Sequence, residues 1–149
     1  MTISILGNTT IYNSIQMGPG LDVKLVLDLF NKAQQAYFLE NDEFASDLSL
    51  LGVPELLTLI NNYSEYEFDV EDNFTAFLYK PNAALGLKTY YAFVGVWINS
   101  VSGFSTSAFL FESTTPGPHD VLTIPSYSLI DGSLISAPTG ATTTFIETF

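Results

Sequence analysis

The stretch Thr89–Phe111, TYYAFVGVWINSVSGFSTSAFLF, runs for twenty-three residues without a charge. Its centre, Asn99-Ser100-Val101-Ser102-Gly103, is mostly polar and ends in glycine, so the stretch reads as two β-strands joined by a turn. A transmembrane helix of the same length would carry those polar groups and the glycine at mid-bilayer, which argues against that reading. Along the first strand Tyr90, Ala92, Val94, Val96 and Ile98 alternate with Tyr91, Phe93, Gly95 and Trp97. Both sets are apolar, so this strand is expected to be covered on both faces, by the chain's own core and by either a helix or a neighbouring subunit.

Upstream, Val26, Leu29, Phe30, Ala33 and Tyr37 recur at three- and four-residue spacing and predict a helix over Val23–Leu39, with Asp22 as its cap. Glu40-Asn41-Asp42-Glu43 then puts carboxylates at the negative end of the helix dipole. Val53-Pro54 predicts a second helix over Pro54–Asn62, with Leu56, Leu57 and Ile60 inward. From Glu65 to Asp72 acids alternate with Tyr66, Phe68 and Val70, the pattern of a strand with one acidic face. Phe74–Lys80 reads as another strand, and residues 2–15 read as a hairpin around Gly7-Asn8.

Downstream, Tyr127–Ile130 and Ser133–Ile135 flank Asp131-Gly132, a strong hairpin signal, and Thr142–Thr148 reads as a last strand. The expected fold class is therefore α+β and mainly β. It is an antiparallel β-sandwich or barrel-like domain with one long and one short helix in the N-terminal half. A chain of 149 residues fits a single domain, 1–149, with 113–149 expected as an extended interface arm.

Charge narrows the function classes. Lys24, Lys32, Lys80 and Lys88 are the whole basic inventory against sixteen acids, a net charge of -12. Phosphate backbones are repelled by such a chain, so no nucleic-acid partner is expected. Twenty-one aromatic residues set it apart from a disordered acidic tail. Cysteine is absent, which removes disulfides, thiolate metal sites and thiol nucleophiles. The N-terminal residues lack the basic and long apolar regions of a secretory signal, and no membrane partner is expected.

Chemistry-bearing motifs are sparse. Gly103-Phe104-Ser105-Thr106-Ser107 has the serine of a nucleophile elbow without its closing glycine, and it lies on a hairpin rather than a strand-to-helix turn. His119 is the single histidine, in a Pro/Gly loop, with no second imidazole or thiolate for a metal. The acids of Glu65–Asp72 are spaced ~6–7 Å apart along one strand, too spread for one calcium and unable to face each other as a glycosidase pair. No catalytic residue, cofactor or metal is expected, and the chain is read as not an enzyme.

Residues 89–149 hold four charges in sixty-one positions, where ordinary usage of roughly 25% predicts about fifteen. One reading is a surface kept soluble by Ser and Thr hydroxyls; the other is a surface covered by partners, since interface cores are depleted in charge. The second reading nominates Tyr91, Phe93, Trp97, Phe109, Phe111, Tyr127 and Phe145 as interface residues. An acidic, cysteine-free, Ser/Thr/Gly-rich and aromatic β chain of this length resembles the virion structural proteins of tailed bacteriophages, capsid decoration proteins or tail and neck components. The resemblance implies a repeated structural subunit located in a virion, with a homo-oligomer or other virion proteins as partners. The alternative is a carbohydrate-binding or adhesin module in which Trp97, with Tyr90 and Tyr91, forms a stacking platform.

Overall fold

The computed structural model describes residues 16–17, 21–62, 65–81, 86–117, 119, 124–139 and 141–148, with backbone alone at 16–17, 21–22, 61–62, 116 and 141–148. The hairpin expected over residues 2–15 lies outside the described residues. In chain order the elements are β1 (Gln16–Met17), β2 (Leu21–Asp22), α1 (Val23–Asn41), a 3-10 turn (Leu48–Leu51), α2 (Pro54–Asn62), β3 (Glu65–Val70), β4 (Phe74–Lys80), β5 (Lys88–Asn99), β6 (Gly103–Pro116), β7 (Ser126–Tyr127), β8 (Leu134–Ser136) and β9 (Ala141–Thr148). Five strands form one antiparallel sheet in the order β3-β4-β5-β6-β9. The fold is α+β and mainly β, as the sequence implies.

The uncharged stretch is the β5–β6 hairpin, paired from Asn99↔Gly103 to Lys88↔Pro116. Its two apolar faces have different covers. On one, Tyr90, Ala92 and Leu110 pack with Phe77 and Tyr79 of β4 against Val26, Leu27 and Phe30 of α1 and Leu56 and Leu59 of α2. On the other, Tyr91, Phe93, Phe109 and Phe111 pack with Ala76 and Leu78 beneath Tyr127, Leu134 and Ala137 of the β7–β8 ribbon. The second face is thus closed by the chain's own C-terminal ribbon. Gly95 makes this possible: a Cβ there would lie 2.4 Å from the Tyr127 ring. With hydrogen in that place the ring lies on the sheet, and the Tyr127 hydroxyl donates to the Val96 carbonyl at 2.8 Å.

Several sequence expectations shift. α1 buries Val23, Leu27, Asn31, Gln34, Gln35 and Phe38 along with Val26 and Phe30, while Leu29, Ala33 and Tyr37 are only half-buried. The helix is rotated toward its polar side, where each amide NH2 finds an acceptor within the fold, while the Asn31 and Gln35 side-chain oxygens are buried without a partner among the described residues. Gln34 accepts from the Ala45 N–H at 2.8 Å and donates to the Ala45 carbonyl at 3.1 Å and to Thr75 at 3.3 Å. Asn31 donates to the Phe109 carbonyl at 3.0 Å and Gln35 to Thr106 at 3.2 Å. In α2, Leu59 rather than Leu57 joins Leu56 in the core. The ribbon strands are shorter than the sequence suggests: Ser128 and Asp131 accept from backbone N–H groups of Ile130, Asp131 and Ser133, holding residues 128–133 as a broad turn.

The edge strand β3 matches its pattern. Tyr66 stacks on Phe77 and Phe68 meets Phe30 edge-on, while Glu65, Glu67 and Asp69 stay exposed. A charged edge discourages pairing with a foreign strand.

Candidate assembly surface

At the end of the molecule where α1 stops, the hairpin continues. Asn99 accepts from the Val101 N–H at 2.8 Å and the Ser102 N–H at 3.2 Å, and Gly103 completes the turn with φ 94°. Beyond β4 the sheet edge is finished by loops: Val96 N–H donates to the Asn73 carbonyl at 2.9 Å and Ile98 N–H to the Leu129 carbonyl at 3.0 Å. The last bond brings the ribbon turn beside the hairpin tip. Ile98 is paired with Phe104 in register, and Ile98, Val101, Phe104, Leu129 and Ile130 are all exposed, Val101 at 93% and Ile130 at 83%. Single exposed apolar residues are ordinary, whereas five gathered at one end make this the candidate contact surface.

α1 ends here as well. Asp42 takes the left-handed conformation at φ 59°, its N–H bonded to the Phe38 carbonyl at 2.8 Å, and Phe44 folds back onto Phe38 at 4.9 Å. The gap between helix end and hairpin is a groove of about 540 Å³ lined by Phe38, Asp42, Asp72, Asn73, Val96 and Phe104. An acidic cleft of about 470 Å³ adjoins it and shares Asp42 and Asp72, with Glu43 and Glu71 on its walls.

The opposite end is charge-compensated. Glu112 binds Lys24 at 3.2 Å and Lys88 at 3.0 Å, and Lys80 binds Glu67 at 3.0 Å. Burial pushes the Glu112 carboxyl up, but the hydrogen bond from Lys88 and the charge and hydrogen bond of Lys24 outweigh it and hold the group below its usual range. His119 belongs to this end too: its N–H donates to Thr89 at 2.8 Å and its ring meets Thr115 at 3.1 Å. Ser107 and Thr115 are eight residues apart on β6, ~26 Å of strand, so the elbow-like Gly103–Ser107 segment and His119 are not brought together.

The residues nominated for an interface are placed otherwise. Tyr91, Phe93, Trp97, Phe109 and Phe111 are buried within the chain, because the ribbon occupies the face that a neighbour was expected to cover. Trp97 lies under Gly132, where a Cβ would approach its indole nitrogen to 2.4 Å, which removes it as a sugar platform. Tyr127 is half-buried in the ribbon, and Phe145 stands on β9 at the register position opposite Leu110. The exposed tip was missed; Val101 between two serines, and Ile130 just before Asp131-Gly132, are apolar residues in turns and were its available signal.

The chain is a helix packed on an antiparallel sheet, with five of its exposed apolar residues together at one end. The profile of the Type IV pilin-like G and H family matches residues 22–127, from the start of α1 through β7, and the chain belongs to this family. No curated protein and no solved structure matches it. The family is one of pilin-like subunits, which upholds the structural character read from the sequence and corrects the bacteriophage reading, its virion location and its capsid or tail role included. Composition misled there: acidity, missing cysteine and β content are shared by unrelated assembly proteins. Among the described residues no helix is long and apolar enough to cross a membrane.

Proposed function

We propose that the chain is a non-catalytic subunit of a pilin-like assembly at the cell surface, and that it contacts neighbouring subunits through the end bearing Ile98, Val101, Phe104, Leu129 and Ile130. The gathering of these exposed residues on a pilin-like chain carries the reading. Residues 1–149 then act as one unit, and the segment 113–149, folded back on the chain's own sheet rather than reaching out as an arm, contributes to contacts through the exposed Ile124, Leu129, Ile130 and Ile135. Burial of such side chains against a partner is worth roughly 1.5–3 kcal/mol each when complete, enough for a few of them to hold a subunit in place.

Because the chain has no cysteine, a Val101→Cys variant carries a unique thiol. Loaded with a photo-crosslinker in the cells that produce the chain, it is expected to capture an assembly subunit and to be recovered with sheared surface appendages. A chain that stays monomeric, yields no crosslink and remains in the soluble fraction would overturn the reading. The same label at Thr58, exposed on α2 at a distance from the tip, sets the background.

A further inference from the structure

We infer that the groove beside the hairpin tip receives a lysine- or arginine-bearing segment of a protein other than this one. The inference rests on the assembly reading above and names the chemistry of the neighbour. The groove has apolar walls, Phe38, Val96 and the 64% exposed Phe104, with Asp42 and Asp72 beside them. Glu43 and Glu71 line the cleft that continues it. An alkyl stem ending in a cation fits that order of surfaces: the stem lies on the apolar wall, the charge reaches the carboxylates, and an aromatic face beside it adds cation–π attraction.

The negative potential is not relieved from within. Among the described residues no ion pair reaches Asp42, Glu43, Glu71 or Asp72. They stand at the C-terminal end of α1, whose last turn has no basic residue, so the helix dipole adds to their charge. A second copy is a poor source of the cation. The chain has four lysines and no arginine, three of those lysines are engaged with Glu112 and Glu67 at the opposite end, and two molecules of net charge -12 repel each other. The occupant is therefore a basic, partly apolar segment from a different subunit.

The probe is a fluorescent decapeptide of alternating lysine and leucine, with an alternating glutamate and leucine peptide as its counterpart, read by anisotropy on the full chain at low and high salt. The lysine peptide is expected to bind, to weaken with salt, and to lose roughly three- to thirtyfold in affinity with Asp42→Asn/Asp72→Asn, which removes two exposed charge pairs. Asparagine accepts the left-handed backbone of position 42, so this variant keeps the fold. Phe104→Ser is expected to weaken binding as well, while Glu65→Gln/Asp69→Asn, which removes the same charge from β3, leaves it within twofold. Thermal melts establish that each variant is folded.

Absence of lysine-peptide binding overturns the inference, as does equal loss in the β3 variant, or an unchanged affinity with Phe104→Ser. Self-association in sedimentation that disappears with Asp42→Asn/Asp72→Asn overturns it too, by making the occupant a second copy. Each of these results leaves the Val101 crosslinking outcome untouched, so failure of the basic partner is distinguishable from failure of the assembly reading.

Discussion

The two faces of the β5–β6 hairpin are sealed by opposite means. The helical face mixes apolar packing with buried amides whose hydrogen bonds tie α1 to Ala45, Thr75, Thr106 and the Phe109 carbonyl. The ribbon face is an aromatic stack, in which Phe93 meets Phe74, Tyr91, Phe109 and Tyr127 at centroid distances of 5.3 to 6.3 Å. The helical seal is directional, because a bond to a particular carbonyl fixes the position of the helix. The ribbon seal depends on fit, because rings tolerate small slides and cannot tolerate added or missing volume.

Removing the centre of the stack should have the largest effect. Phe93 is fully buried, and Phe93→Ala is expected to cost about 3–5 kcal/mol in chemical denaturation. A loss below about 1 kcal/mol would mean that the ribbon does not depend on the ring beneath it. On the other face, Gln34→Ala strips both backbone groups of Ala45 of their side-chain partner in a buried site, and about 2–3 kcal/mol is expected. Gln34→Glu separates geometry from charge: it keeps the shape and the acceptor, loses the amide donor and brings in a buried carboxylate, so it should not restore stability.

Gly95→Ala tests fit alone. The added methyl meets the Tyr127 ring, and the expected cost is about 1–3 kcal/mol. The double variant with Tyr127→Ala should cost less than the sum of the two single changes, since the clash has then been removed. Additive losses would show that the glycine is not there for the ring.

The contrast between the faces also explains what could be read from the sequence. Apolar alternation along Tyr90–Ile98 reports that both faces are covered, which holds from Tyr90 to Trp97 and fails at Ile98, where the strand outruns its covers. The helix boundaries followed from Val53-Pro54 and from periodicity. Hydropathy counts Asn31, Gln34 and Gln35 as surface, so the phase of α1 was misplaced; their partners lie 11 to 78 residues away in sequence. Gly95 looked like a small member of an apolar set, and only the approach of Tyr127 gives it a purpose. At the candidate surface the difficulty is the reverse. Val101, Phe104 and Ile130 have the same chemistry as the core, and they are exposed because α1 ends at Asn41 while the hairpin runs on. The length of one element relative to another is not written in either alone.

The smallest expected effect concerns where the helical seal begins. Glu112, on β6, binds Lys24 of α1 and Lys88 of β5, pinning the helix start to the sheet by charge where the rest of the seam uses amides. Its carboxyl is held below the usual range in the folded chain. The unfolded chain therefore takes up this proton first as pH falls. The contribution is complete above the ordinary carboxylate range, ~pH 4–5, and is lost as pH drops through that range and the folded value below it. The difference in melting temperature between the wild type and Glu112→Gln should be a few degrees at pH 7, on the order of 1 kcal/mol for a chain of this size. It should narrow as pH falls through the carboxylate range and below it, as the lysines lose their anion in both proteins. Taking the difference between the two proteins cancels the titration of the fifteen other acids. A gap that persists unchanged to pH 3 would show that Glu112 acts through packing rather than charge, making this end of the helical seal resemble the ribbon face.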